Sequence, residues 1–258
     1  MNPNEILKSQ LEHRTIREFK QEPIPEEIFA LLMEVGRHTA TSNGMQQSSI
    51  IRITDEALKK EISHICHQGY IARAPELLIF VADQYRNAEI AREKGADVQY
   101  AGDADRFFQA VTDACIMAQN IVNAAERIGL GAMFLGSILN DADRLCTLLK
   151  LPSLTFPVLG LGLGYPNQEP QVKPKMSMSL RVFENTYKEF ESYLYAVNAY
   201  DEEMQTYYDL RNANKRVDSF SDQAFSKLQA VIDKRQDLFD VVRKQGFTEI
   251  KKSDDLSN

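Results

Sequence analysis

Apolar residues recur along this chain with two different periods. At helical spacing stand Ile28, Leu31, Leu32 and Val35, just after Pro25-Glu26-Glu27. A proline suits the first helical turn and two acids suit its positive end, so a helix is predicted here. Thr39-Ala40-Thr41-Ser42-Asn43-Gly44 then breaks the pattern into a polar loop. Ser49 to Thr54 is rich in β-branched residues and reads as a strand, after which Asp55 is placed to cap a helix running to about Cys66. Leu77 to Ala82 is a continuous apolar run, as expected of a strand covered on both faces. From Asp103 to Ile128 a long helix is predicted, with Phe107, Val111, Ala114, Ala118, Ile121, Ala125 and Ile128 on one stripe and Gly129 at its end.

Further on, Leu130–Leu135 reads as extended and Asn140 or Asp141 caps a short helix before Pro152. Phe156–Leu163 is a strand carrying glycines that permit close backbone approach. After Lys173-Pro174-Lys175 the character shifts. A short strand is expected near Leu180–Phe183, then a tyrosine-rich helix from about Glu189 to Leu210, and a basic loop, Arg211 to Arg216. A final helix begins at Ser221-Asp222 and closes at Gly246. Strands mixed with long helices and no clear linker predict one α+β domain with a helical C-terminal extension.

Composition narrows the function. The 258 residues are 43% hydrophobic and 26% charged, an ordinary globular balance, and the formal net charge of −7 disfavours a broad nucleic-acid or anionic-membrane footprint. The apolar run at Leu77–Ala82 is far shorter than the roughly 20 residues a bilayer span needs. Met1-Asn2-Pro3-Asn4-Glu5 does not resemble a secretory signal. Cys66, Cys115 and Cys146 are widely spaced, with no Cys-x-x-Cys pair, which points to unpaired thiols in a reducing cytoplasm.

Against this acidic background, His13-Arg14-Thr15-Ile16-Arg17 gathers three potentially cationic groups within a few residues. Such a cluster suits a small anion, or solvent. Thr41-Ser42-Asn43 with Gln46 offers short hydrogen-bonding side chains in a turn, and Lys173-Pro174-Lys175 flanks a stiff proline with two cations. His64, Cys66 and His67 lack an evident fourth ligand, so a solvated helix end is preferred to a metal site. Gly160-Leu161-Gly162-Leu163-Gly164 is followed by Tyr165-Pro166 rather than a helix, which disfavours a dinucleotide fingerprint. Neither a P-loop nor a nucleophile elbow is present.

These pieces occur together and in order, and the chain resembles the FMN-dependent nitroreductase family, in its branch of NADPH-dependent flavin oxidoreductases and oxygen-insensitive NADPH nitroreductases. The resemblance rests on His13 to Arg17, Ser48-Ser49-Ile50-Ile51-Arg52-Ile53-Thr54, Gln68, Ile128-Gly129-Leu130-Gly131, Leu148-Leu149-Lys150-Leu151-Pro152, Lys173-Pro174-Lys175, Arg211 and Arg216. It implies a central, mostly antiparallel sheet flanked by helices, with a helical C-terminal extension that wraps a dimer partner. It also implies one domain over residues 1–258, with an FMN-binding core at 1–185, the extension at 186–250 and a tail at 251–258.

By the same resemblance, FMN is held without a covalent link at a homodimer interface. His13, Arg14, Thr15 and Arg17 match positions at its phosphate and ribityl end, and Lys173 and Lys175 also match FMN contacts. Thr41, Ser42, Asn43 and Gln46 match a polar contact stretch, and Gln68 a residue that hydrogen-bonds the flavin. Leu135, Gly136 and Ser137 match backbone lying against the ring. Arg211 and Arg216 match the loop that grips the 2′-phosphate of NADPH. Hydride transfer then runs through flavin N5, so no catalytic side chain and no metal is expected. Nitroaromatics, quinones and flavins are expected acceptors; supplying reduced FMN to a partner, or sensing redox state without turnover, are the alternatives. Three departures stand out: Lys175 where the family commonly has arginine, Ser137 in place of a glycine, and Leu139 where some members carry arginine.

Overall fold

The computed structural model describes residues 5–209, 215–216 and 218–247. Two compact units are present, one built on Thr15–Gln168 with the N-terminal helix and the chain from Ile232 onward, the other on Glu12–Arg14 and Glu169–Val231.

The larger unit is a four-stranded antiparallel sheet between helical layers. Its strands are β1 (Ser48–Arg52), β2 (Glu76–Asp83), β3 (Gly131–Leu135) and β4 (Thr155–Gly164), in the order β1-β2-β4-β3. The predicted apolar run is the centre of β2, and all eight of its residues are buried. Alternation explains why. Leu77, Ile79 and Val81 enter one core with Ile62, Ile65, Met133, Leu135 and Ile138. Leu78 and Phe80 enter a second core on the opposite face with Leu32, Ala114, Ala118 and Ile121. A sheet covered on both sides has no polar face to alternate with.

Helices α1 (Glu5–Leu11), α2 (Glu26–Arg37), α3 (Glu56–Cys66), α4 (Tyr85–Glu93), α5 (Ala104–Arg127) and α6 (Ala142–Leu148) belong to this unit. Two caps fall where the sequence places them, Asp55 and Asp141 accepting from the backbone N–H groups of Leu58 and Arg144, while Asp103, expected as the first residue of the long helix, is instead its cap and accepts from Arg106 N–H. The sequence reading missed α4, a helix with only one buried residue, Ala88. It also overextended the α5 stripe, since Ile128 lies past the helix end and is exposed.

Thr15–Phe19 adds an extended segment beside the sheet. Thr15 bridges Ala132 of β3 and Phe19 bridges Pro166 beyond β4. Ile16 N–H donates to the Ala132 carbonyl at 2.9 Å. The approach is close enough that a Cβ on Gly131 would fall 2.6 Å from Ile16 Cγ1. The β4 glycines serve the same end: a Cβ at Gly164 would meet Pro75 Cγ at 2.8 Å and Phe19 Cδ1 at 2.9 Å.

In the smaller unit, α7 (Tyr193–Met204), a two-stranded ribbon of β5 (Tyr208–Asp209) and β6 (Lys215–Arg216), and α8 (Phe220–Gln229) follow one another. α7 packs on α8 through the Tyr200 and Phe220 rings, 5.3 Å apart, and through Asp201, which accepts from Ser221 N–H at 2.9 Å. Three expectations need correcting. A 3₁₀ turn (Met178–Leu180) stands where a strand near 180–183 was expected, its first residues held by the Ser177 hydroxyl. The tyrosine-rich helix is shorter than predicted and starts at its cap Ser192. The final helix is two helices, because Ala230 turns extended after α8; α9 (Leu238–Lys244) follows and packs Val241 and Val242 into a third core with Phe156 and Phe247 of the larger unit.

Candidate functional site

The polar loop at 41–47 is built by strain and by buried partners. Asn43 and Gln46 both adopt positive φ, 53° and 51°, which folds the chain back on itself without glycine at those positions. Asp113, fully buried on α5, accepts from Ser42 N–H at 2.8 Å and from Gln47 N–H at 3.1 Å, so one carboxyl group holds both ends of the turn. The buried Gln47 amide continues the network to the Ser42 carbonyl and to Gln109, and accepts from Gln84. From α4, Arg86 donates to the Gln46 carbonyl and Asn87 to the Met45 carbonyl at 2.9 Å. Held this way, Asn43 and Gln46 are exposed while Thr41 and Ser42 are half-buried.

A second group lies at the end of β3. Leu135 is buried, Gly136 exposed and Ser137 half-buried at the start of a 3₁₀ turn, Gly136–Asp141. Ser137 Oγ donates to Gln68 Oε1 at 3.0 Å, which brings together two positions 69 residues apart in sequence. The Gly136 carbonyl accepts from Arg235 Nη1 at 3.2 Å, and the same nitrogen lies 3.4 Å from Asn140 Oδ1. Two residues before Gln68, at the end of α3, the Cys66 thiol is buried. Burial pushes it up to about 11, against an opposing hydrogen bond with Ser137, so it is a protonated thiol at neutral pH.

The basic segment divides between the units. Thr15 and Arg17 belong to the extended segment beside β3, while His13 and Arg14 fall in the smaller unit. There, Arg14 lies 3.6 Å from the exposed Glu169, and its Nε is buried with no hydrogen-bond partner. Lys173 and Lys175 share that unit, half-buried and exposed. The carbonyl of Pro174, between the two lysines, accepts from the Tyr200 hydroxyl on α7 at 3.2 Å. Arg211 lies outside the described residues. Arg216 sits in β6, its backbone opposite Tyr208.

Sequence reasoning missed the residues that hold these groups in place: Asp113, Gln47, Gln84, Arg235 and Tyr200. One signal was available. Asp113 is one position from Ala114 on the stripe that meets the sheet, and a carboxyl group there needs a partner. The other four become visible only through contacts made far along the chain. Among the described residues, no group of three or more His, Cys, Asp or Glu side chains is placed to hold a metal ion, and no helix is long and apolar enough to cross a membrane.

Comparison with known proteins assigns the chain as a whole. Residues 11–165 match the model of the nitroreductase family, and residues 173–249 that of the nitroreductase family C-terminal domain. An NADPH-dependent oxidoreductase of Staphylococcus saprophyticus is 35% identical over 239 residues, covering 91% of this chain and 94% of the relative. An oxygen-insensitive NADPH nitroreductase of Salmonella typhimurium is 36% identical over 236 residues, covering 91% and 95%. The structure of an NADPH:FMN oxidoreductase from Vibrio harveyi, complexed with NAD+, superposes with a TM-score of 0.83 at 31% identity, covering 94% of this chain and 98% of that one. The chain thus belongs to the nitroreductase family, in the branch of NADPH-dependent flavin oxidoreductases and oxygen-insensitive NADPH nitroreductases, and is an oxidoreductase of that type.

Proposed function

We propose that this protein is an FMN-dependent NADPH oxidoreductase that works as a cytoplasmic homodimer and passes electrons to nitroaromatic, quinone or flavin acceptors in two half-reactions. The observation that carries the FMN reading is the Arg14 guanidinium. Its Nε is buried without a partner, and a buried donor left so costs about 1–3 kcal/mol unless something accepts from it. A phosphate oxygen meets that need, because a planar guanidinium matches phosphate with two parallel donors. The remaining donor set has the same chemistry: His13, Arg17, Lys173 and Lys175 for the phosphate end, Thr15 for the ribityl hydroxyls, and hydroxyl and amide groups at Thr41, Ser42, Asn43, Gln46 and Gln68.

In this reading the flavin, when bound, supplies the hydride chemistry, accepting from NADPH and giving to the acceptor. The chain's own residues bind and orient. Loop 41–47 presents fixed polar groups because Asp113 has already ordered it, so little conformational freedom is lost when the cofactor arrives. Gly136 and Ser137 offer backbone to a flat ring, and Leu135, buried in the core, anchors the start of that stretch. Arg211 and Arg216 take the 2′-phosphate of NADPH. Large apolar side chains left exposed on α5, Phe108 and Ile116, and on α7, Leu194 and Tyr195, support a partner subunit and a wrapping role for the extension.

The test is an anaerobic absorbance titration of purified protein, with FMN added where needed. Bleaching of the flavin band by stoichiometric NADPH, and its return with nitrofurazone or a quinone, supports the reading. Return only with free FMN points to a flavin reductase. A yellow protein that NADPH does not bleach points to a redox sensor, and a protein that binds no FMN refutes the cofactor assignment.

A further inference from the structure

We propose that the Ser137 hydroxyl is a positioning group for the Gln68 amide: it fixes which end of that amide a bound flavin meets, and so sets the flavin's reduction potential. This rests on the FMN reading above. Everything else about Gln68 is already immobile. It follows His67, the left-handed residue that ends α3 at φ 52°. Its backbone N–H donates to the Ser63 carbonyl at 3.1 Å, and its own carbonyl accepts from Ser63 Oγ at 3.1 Å. The freedom left is in the side chain, and there the decisive variable is the amide flip. The two ends of a glutamine amide have almost the same shape and opposite hydrogen-bonding roles, so a neighbour must choose between them.

Ser137 makes that choice at 3.0 Å from Gln68 Oε1. The hydroxyl donates and the amide oxygen accepts, so the amide nitrogen is turned away from Ser137. A fixed donor is worth more to a reduced flavin than to an oxidised one, because reduction adds electron density to the ring. A glycine at this position, as the family resemblance has it, offers no hydroxyl.

The test compares bound-FMN midpoint potentials, by anaerobic titration against reference dyes, in the wild-type protein, Ser137→Ala, Ser137→Gly, Ser137→Thr, Gln68→Ala and the Ser137→Ala/Gln68→Ala double variant. Ser137→Ala and Ser137→Gly should each lower the ratio of reduced-to-oxidised FMN affinity about tenfold, about 30 mV for a two-electron couple. Ser137→Thr, which keeps the hydroxyl, should stay near wild type. The double variant should match Gln68→Ala alone, because Ser137 acts only through that amide. Unchanged potentials in both hydroxyl-deleted variants, or additive shifts in the double variant, overturn the proposal. Failure of the wild-type protein to bind FMN overturns the cofactor assignment instead, and is read before any variant is made.

Discussion

The Asp113 carboxylate and the backbone N–H of Ser42 lie 2.8 Å apart across 71 residues of sequence. The same carboxylate takes Gln47 N–H, so a helix in the middle of the fold determines the shape of a surface loop. Asp113→Asn keeps the size of the side chain but puts an amide N–H against one of the two peptide donors. We expect FMN affinity to fall about tenfold, roughly 1.4 kcal/mol, with a lower melting temperature for the apoprotein. Fluorescence titration of apoprotein with FMN measures the first effect, and an affinity within twofold of wild type would remove the loop from the binding argument.

Gly131 is required by what faces it. A Cβ there would fall within 3.0 Å of three Ile16 atoms, two of them at 2.6 and 2.7 Å. Ile16 is flanked by Thr15 and Arg17, so relief of the clash must move the basic segment. Gly131→Ala should destabilise the protein by about 1–3 kcal/mol, as overpacking does, and weaken FMN binding as well. Ile16→Ala, which removes the γ carbons at 2.6 and 3.0 Å, should cost less stability in the Gly131→Ala background than in the wild-type protein, read by denaturant melts.

Tyr200 reaches from α7 to the carbonyl of Pro174, between Lys173 and Lys175. Tyr200→Phe keeps the ring contact with Phe220 and deletes only the hydroxyl. A net loss of about 1 kcal/mol is expected, together with a higher Kd for FMN if the lysine pair acts as proposed. Equilibrium unfolding and flavin titration of the same variant separate the two effects.

The three thiols differ in access. Cys66 and Cys146 are buried and Cys115 is exposed. Burial holds Cys66 at about 11 and Cys146 at about 12, the latter helped by the nearby Asp143. A thiol reacts as its thiolate, so neither should be attacked at pH 8 in the native state. Titration with Ellman's reagent should find at most one reactive thiol per chain in buffer and all three in guanidinium chloride. More than one fast thiol in the native protein would mean that the α3 and α6 cores open readily.

Local chemistry is why much of the fold can be read from residues alone. Asp55 and Asp141 cap helices because a short acceptor before an apolar periodic run has one good use, and those caps are observed. Leu77–Ala82 reads as a doubly covered strand because it offers no polar face. The misreadings fell where local signals were weak. α4 buries one alanine and carries little apolar periodicity, and the break after α8 occurs in Ala230-Val231-Ile232, which offers no glycine or proline to mark it.

Family membership, and the list of candidate binding residues, came from short motifs in a fixed order, which is information a chain carries before it folds. The tertiary structure decided which groups meet. Asp113 with Ser42 and Gln47, Ser137 with Gln68, Gly131 with Ile16, and Tyr200 with Pro174 are pairs that no spacing rule connects. The reason is physical: a cap or a strand is decided within a few residues, by backbone hydrogen bonds and side-chain periodicity. A hydrogen bond across 69 or 71 residues exists only after two cores have closed on the sheet and brought its partners within 3 Å.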